Sequence, residues 1–135
     1  MRIVEFDIPQ YGWRVKTYFA VTQYNTEDIV GDLIDIDCPT NIVDRVTENL
    51  LHQEMDTGFT YSNKKNRSTI MVIGLTSHPA EFLNSFEHEL RHLVDDIASV
   101  VGIDTNSEAV AYLTGDINLF LWGYIHKFVC CSCKH

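Results

Sequence analysis

The chain has 135 residues, of which 45% are hydrophobic and 21% charged, and its formal net charge is −9 at pH 7. This length and composition are typical of one globular domain with its own buried core, so one domain is predicted over residues 1–135. The acidic balance argues against a nucleic-acid-binding protein, which would normally present a basic face.

The N-terminal stretch shows no targeting signal. Glu5 and Asp7 interrupt it before the apolar region of a signal peptide could form. No apolar run in the chain approaches the length of a membrane span. The sequence therefore predicts a cytoplasmic protein without a membrane partner.

Residues 2–22 predict a β-hairpin, because apolar and charged residues alternate on both sides of a turn at 9–12. The second strand of the hairpin is expected to place one set of side chains on a single face: Trp13, Val15, Thr17, Phe19 and Val21.

Two short helices are predicted next. The first begins at Asn25–Asp28, where a capping side chain precedes acidic residues, and it ends at Cys38-Pro39. The second runs from Thr40 to about His52. With the hairpin, these helices make up an N-terminal part over residues 1–57.

The C-terminal part, residues 58–135, is predicted to open with two strands. Gly58–Ser62 and Ser68–Gly74 flank a basic loop tip at 63–67. The second strand is apolar on both faces, as for a strand covered by helices on one side and by another layer on the other.

A long amphipathic helix is predicted to begin near Pro79 and to end at Gly102. Its apolar stripe comprises Phe82, Phe86, Leu90, Leu93, Ile97 and Val101. The opposite side carries Ser85, His88, Glu89, His92, Asp95, Asp96 and Ser99. The two histidines therefore lie outside the stripe that is expected to be buried.

The polar side of this helix contains His88-Glu89-Leu90-Arg91-His92, a His-Glu-x-x-His pattern. Residues four apart on a helix project from one face, so His88 and His92 can hold a single metal ion. Glu89 then lies beside the open coordination position, where it can take a proton from water. The alternative interpretation is a solvated helix face with spare histidines.

A catalytic zinc site normally has three protein ligands. Glu108 is the best candidate for the third, because it begins a helix that is expected to fold back antiparallel onto the metal helix. The competing carboxylates are Asp96, Asp104 and Asp116.

The final helix is predicted to begin at Asn106 or Ser107 and is apolar almost all round from Ile117 to Cys131. Such a helix is either central to the core or a contact surface for a second copy or a partner. At its end, Cys130, Cys131 and Cys133 match no standard zinc spacing, so free thiols are favoured over a metal site.

These patterns resemble the gluzincin type of zinc metallopeptidase, in which a downstream glutamate follows His-Glu-x-x-His. The matching elements are the strand Thr69–Gly74, the motif at 88–92 and Ser107–Tyr112. In size the chain is similar to small metallopeptidases predicted in phages and prophages. The resemblance covers residues 58–118.

The resemblance implies an α+β, zincin-like fold: a small antiparallel or mixed sheet packed on the His-Glu-x-x-His helix, followed by a long C-terminal helix. It implies zinc bound by His88, His92 and Glu108, with Glu89 as the general base for hydrolysis of a peptide or protein substrate. That substrate would pair with Thr69–Gly74 if the strand lies at a sheet edge. If the chain is phage-encoded, its location would be the host cytoplasm.

One position departs from the pattern, because Tyr112 stands where thermolysin-like gluzincins place an aspartate that orients a histidine. Asp95, Asp96, Asp116 or a backbone carbonyl would then have to orient the histidines. Tyr112 either stabilises an oxyanion as a catalytic residue or simply packs.

The alternative function is a catalytically inactive, metal-stabilised phage accessory, structural or interaction module. Its apolar C-terminal helix would then form a homo-oligomer or partner contact.

Overall fold

The computed structural model describes residues 2–52 and 58–129 and has an α+β fold with a mixed four-stranded sheet and four α-helices. The strands are β1 (Arg2–Ile8), β2 (Trp13–Val21), β3 (Gly58–Asn63) and β4 (Ser68–Gly74). The helices are α1 (Thr26–Asp35), α2 (Thr40–Leu51), α3 (Pro79–Val101) and α4 (Glu108–Val129). Cys130, Cys131 and Cys133 lie outside the described residues.

The strands lie in the order β1-β2-β4-β3. β2 and β4 are parallel, whereas β1 and β3 each run antiparallel to their neighbour. β4 is therefore paired on both sides, and a peptide cannot add to it as the sequence had suggested. The edge strand on this side of the sheet is β3.

Two buried apolar clusters cover the two faces of the sheet, because successive side chains of a strand point in opposite directions. Met71 and Ile73 of β4 pack in one cluster with α3 and α4. Ile70 and Val72 pack in the other cluster with α1 and α2. Helices therefore cover both faces of the sheet. Each fully buried apolar side chain in these clusters contributes about 1.5–3 kcal/mol of hydrophobic stabilisation.

A bulge near the end of β2 corrects one detail of the predicted hairpin. Val21 packs in the cluster with α1 and α2, whereas Val15 and Phe19 pack in the opposite cluster. Ala20 adopts a φ of 59°, and the pairing of β2 with β4 shifts between Tyr18 and Val21. The extra residue reverses the direction of the strand's last side chain.

α3 and α4 pack as an antiparallel pair. Phe82 in the first turn of α3 lies against Phe128 near the end of α4, with 4.8 Å between the ring centroids. Between the two helices, Gly102 adopts a left-handed φ of 77° and its N–H bonds to the carbonyl of Ala98, as predicted for a C-terminal cap. None of the helices in the described ranges is long and apolar enough to cross a membrane.

A polar triad joins the sheet to α1. The Lys16 ammonium lies 2.8 Å from the Asp32 carboxylate, and the Tyr18 hydroxyl donates a hydrogen bond to the same carboxylate oxygen. Burial, together with this hydrogen bond, raises the pKa of Tyr18 to about 12. Burial alone would lower the pKa of Lys16. The hydrogen bond and ion pair that its ammonium makes with Asp32 outweigh this effect, so the pKa of Lys16 is raised.

The triad predicts a specific loss of stability in alkali. Because both pKa values are higher in the folded state, its contribution is present below pH 10 and declines as the pH rises from 10.0 to about 12. Urea unfolding at a series of pH values should show this decline, and Asp32→Asn should make it shallower. An unchanged slope in that variant would contradict the assignment.

Candidate metal centre

α3 places the two histidines of the motif one turn apart on an exposed face. Their Nε2 atoms lie 3.3 Å apart, and the rings meet edge to face. A tetrahedral ion with Zn–N bonds of about 2.0–2.1 Å would place two ligand nitrogens about 3.3–3.4 Å apart. The separation of the two nitrogens therefore fits a pair of ligands to one zinc ion.

Glu89, between the histidines in sequence, is almost fully buried, with 3% of its surface exposed. The Thr60 hydroxyl donates a hydrogen bond to its Oε1 at 2.8 Å and also lies 3.2 Å from its backbone carbonyl oxygen. Its other carboxylate oxygen, Oε2, lies 4.0 Å from Nε2 of His88. Glu89 is thus held through one oxygen while the second is directed toward the histidines.

Thr60 was not identified from the sequence. The alternation of residues along β3 could have pointed to it. Phe59 and Tyr61 pack on the face of the sheet opposite α3, so Thr60, between them, faces α3. Which strand would lie beside the motif could not be read from that alternation alone.

β3 and α3 form the two walls of a cleft of about 350 Å³. The cleft is lined by Gly58, Phe59, Thr60, His88, Glu89, His92 and Asp96. The motif therefore opens beside β3, which is an edge strand of the sheet that the described residues form.

The wall formed by β3 is tied to the sheet by side chains as well as by backbone bonds. The indole N–H of Trp13 donates to the Thr69 hydroxyl at 2.8 Å, and the hydroxyls of Thr69 and Ser62 are also 2.8 Å apart. At the start of β3, Gly58 has a φ of 134°, and a Cβ there would lie 1.9 Å from the carbonyl oxygen of Val72. Only glycine fits this approach of β3 to β4.

The predicted third ligand is not brought to the histidines. Within residues 2–52 and 58–129, no three His, Cys, Asp or Glu side chains form a group that could hold a metal ion. Glu108 is exposed at the first residue of α4, so its role as a ligand stays a prediction.

Among the competing carboxylates, Asp96 lines the cleft, and its Oδ1 lies 3.9 Å from the Lys64 ammonium. Asp104 instead accepts a hydrogen bond from the N–H of Asn106 in the turn before α4. Asp116 is exposed on α4, and Asp95 pairs with Arg91. Asp96 is thus the one competitor placed beside the histidines.

Tyr112 is 69% exposed on α4 and is not among the residues that line the cleft. Its catalytic role also stays a prediction. Of the remaining histidines, His78 caps α3 by accepting a hydrogen bond from the N–H of Ala80.

We compared the chain with protein-family models, curated proteins and solved structures, and none of them matches it. The geometry of the cleft is therefore what indicates a function.

Proposed function

We propose that the chain is a zincin-like, zinc-dependent metallopeptidase in which His88 and His92 hold the ion and Glu89 is the general base. The observation that carries this proposal is the 3.3 Å separation of the two Nε2 atoms, which matches the separation of two nitrogens on one tetrahedral zinc. The buried carboxylate of Glu89 beside the pair supports a catalytic role over a purely structural one.

In this mechanism Glu89 moves the proton. Its Oε2 accepts a proton from the attacking water and returns it to the leaving amine, while Thr60 keeps Oε1 in place. Zinc bound at the histidines would supply polarisation of the water and of the substrate carbonyl. Because the Glu89 side chain is buried, bulk water does not compete for its hydrogen bonds.

An extended peptide can reach the cleft along β3. Among the described strands, β3 pairs with β4 alone, and three of its residues line the cleft. The free backbone groups of an edge strand can pair with a substrate backbone, which would place its carbonyl next to the histidines. β3 thus takes the role that the sequence had suggested for Thr69–Gly74.

We assign Asp96 as the third protein ligand. It follows His92 by one helical turn on the same face and lines the same cleft, whereas Glu108 does not line it. Because His88, His92 and Asp96 do not form a group that could hold a metal ion as the described residues stand, the Asp96 carboxylate would have to turn away from Lys64, whose ammonium lies 3.9 Å from its Oδ1.

This assignment predicts different zinc affinities for two variants. Asp96→Asn should weaken zinc binding by at least about 10–100-fold. That loss is typical when a residue that only supports a metal ligand is replaced, and the loss of a ligand should be no smaller. Glu108→Gln should leave the affinity unchanged. Competition titration with a coloured zinc chelator measures both, and the opposite ranking would return the third position to Glu108.

A second candidate function is a metal-stabilised interaction module without catalysis. It is favoured by the exposed apolar face of α4, where Leu119 is 77% and Trp122 54% exposed. Such a face commonly contacts a second copy or a partner. Zinc would then raise the melting temperature, but no substrate would be cleaved.

A further inference from the structure

A second and larger cavity, of about 700 Å³, lies outside the histidine cleft. It opens at the carboxyl ends of the parallel strands β2 and β4, where Val21 and Gly74 are paired. The end of α2 and the first turns of α3 form its other walls. Crevices at the carboxyl ends of parallel strands are common ligand sites, and the volume lies in the usual range of about 300–1,000 Å³.

Ser85 provides a polar group in the wall of this cavity. The residue is only 1% exposed, but its hydroxyl is not among the fully enclosed polar atoms of the described residues, so it can be reached from the cavity. A ligand in the cavity can therefore form a hydrogen bond with it.

The charge of the lining narrows the class of ligand. Side chains that bear amides or hydroxyls predominate in the described lining, including Asn49, Asn84 and Gln23, and Glu81 is its single charged residue. Without Lys, Arg or His in that lining, a phosphate or carboxylate would meet no countercharge. The cavity therefore favours a neutral ligand rich in hydrogen-bonding groups.

An aromatic side chain lies at the cavity as well. Tyr24 belongs to the lining and is 86% exposed, so most of its ring is open to contact with a ligand. The face of an aromatic ring carries partial negative charge and attracts the weakly positive hydrogens of C–H groups. A flat, C–H-bearing ligand surface can stack on it.

We propose that this cavity binds a saccharide. Each sugar hydroxyl is both a donor and an acceptor, and it can pair with the amides of Asn49 and Asn84, the carboxylate of Glu81 and the hydroxyl of Ser85. The C–H face of the sugar ring packs against Tyr24. This inference does not depend on zinc or on peptide hydrolysis.

The test is a titration of the ¹⁵N-labelled, metal-free protein with maltose, cellobiose and chitobiose, followed by amide chemical shifts. At least one sugar should shift the amides of the cavity, Gly74 and Ser85 among them, and leave the histidine cleft unaffected. Tyr24→Ala should weaken this binding by about tenfold or more. Tyr112→Ala, which removes an exposed tyrosine outside the cavity, should not change it.

Ser85→Ala separates binding from folding. Because no hydrogen bond joins this hydroxyl to another described residue, its removal should leave the melting temperature unchanged while the sugar affinity falls. The proposal is overturned if none of the three sugars shifts the cavity amides. It is also overturned if phosphate or trialanine shifts those amides in their place.

Discussion

Glu89→Gln should reduce peptide hydrolysis by about 10²–10⁴-fold, the usual contribution of a general base. Gln has the shape of Glu, and its amide oxygen can still accept the hydrogen bond from Thr60, but it cannot take a proton from water. Zinc affinity should stay near that of the unsubstituted chain, because the histidines are unchanged. A fluorogenic peptide library, assayed with zinc-loaded protein, measures the activity.

Glu87→Gln is the matched control, since it makes the same change at an exposed position on the same helix. Activity should be kept in this variant. If Glu89→Gln cleaves peptides as fast as Glu87→Gln, Glu89 is not the base and the proposed mechanism fails. If the unsubstituted, zinc-loaded chain cleaves nothing in the library, the interaction module becomes the better account.

Gly58→Ala should destabilise the fold strongly although it adds only one methyl group. The backbone conformation alone costs about 1–3 kcal/mol for a residue with a side chain. In addition, the new Cβ would lie 1.9 Å from the Val72 carbonyl oxygen, so β3 would have to move away from β4. That movement would also displace Thr60 and release Glu89.

Gly12→Ala is a control that separates these two costs. Gly12 also has a positive φ, 60°, but a Cβ there would meet no atom within 4 Å. Urea unfolding should therefore show a larger loss of unfolding free energy for Gly58→Ala than for Gly12→Ala. Equal losses would mean that β3 does not approach β4 as closely as described.

The secondary structure was largely readable from the sequence. The alternation in β1 and β2, the apolar stripe of α3 and the glycine at its end are local signals, and the corresponding elements are present. Their order in the sheet was not readable, because a strand that is apolar on both faces, as β4 is, shows that it is covered without showing which strands flank it. That β3 is the edge strand was therefore missed.

In the candidate site too, contacts within one helix were predictable from the sequence and contacts between elements were not. The spacing of His88 and His92 is fixed by the geometry of one helix, so the sequence predicted their proximity correctly. Thr60 and Glu108 belong to other elements, and their distance from α3 depends on sheet order and helix packing. The sequence of the turn before α4 was compatible with a position of Glu108 near the histidines, but it did not determine that position.

The central claim is that His88 and His92 bind zinc, and metal content measured by mass spectrometry tests it most directly. The account predicts about one zinc ion per chain, lost in His92→Ala and kept in His52→Ala, which removes an exposed histidine at the end of α2. Zinc should also be kept when Cys130, Cys131 and Cys133 are all replaced by serine. A wild-type chain that takes up no zinc, or zinc that persists in His92→Ala, would contradict the account.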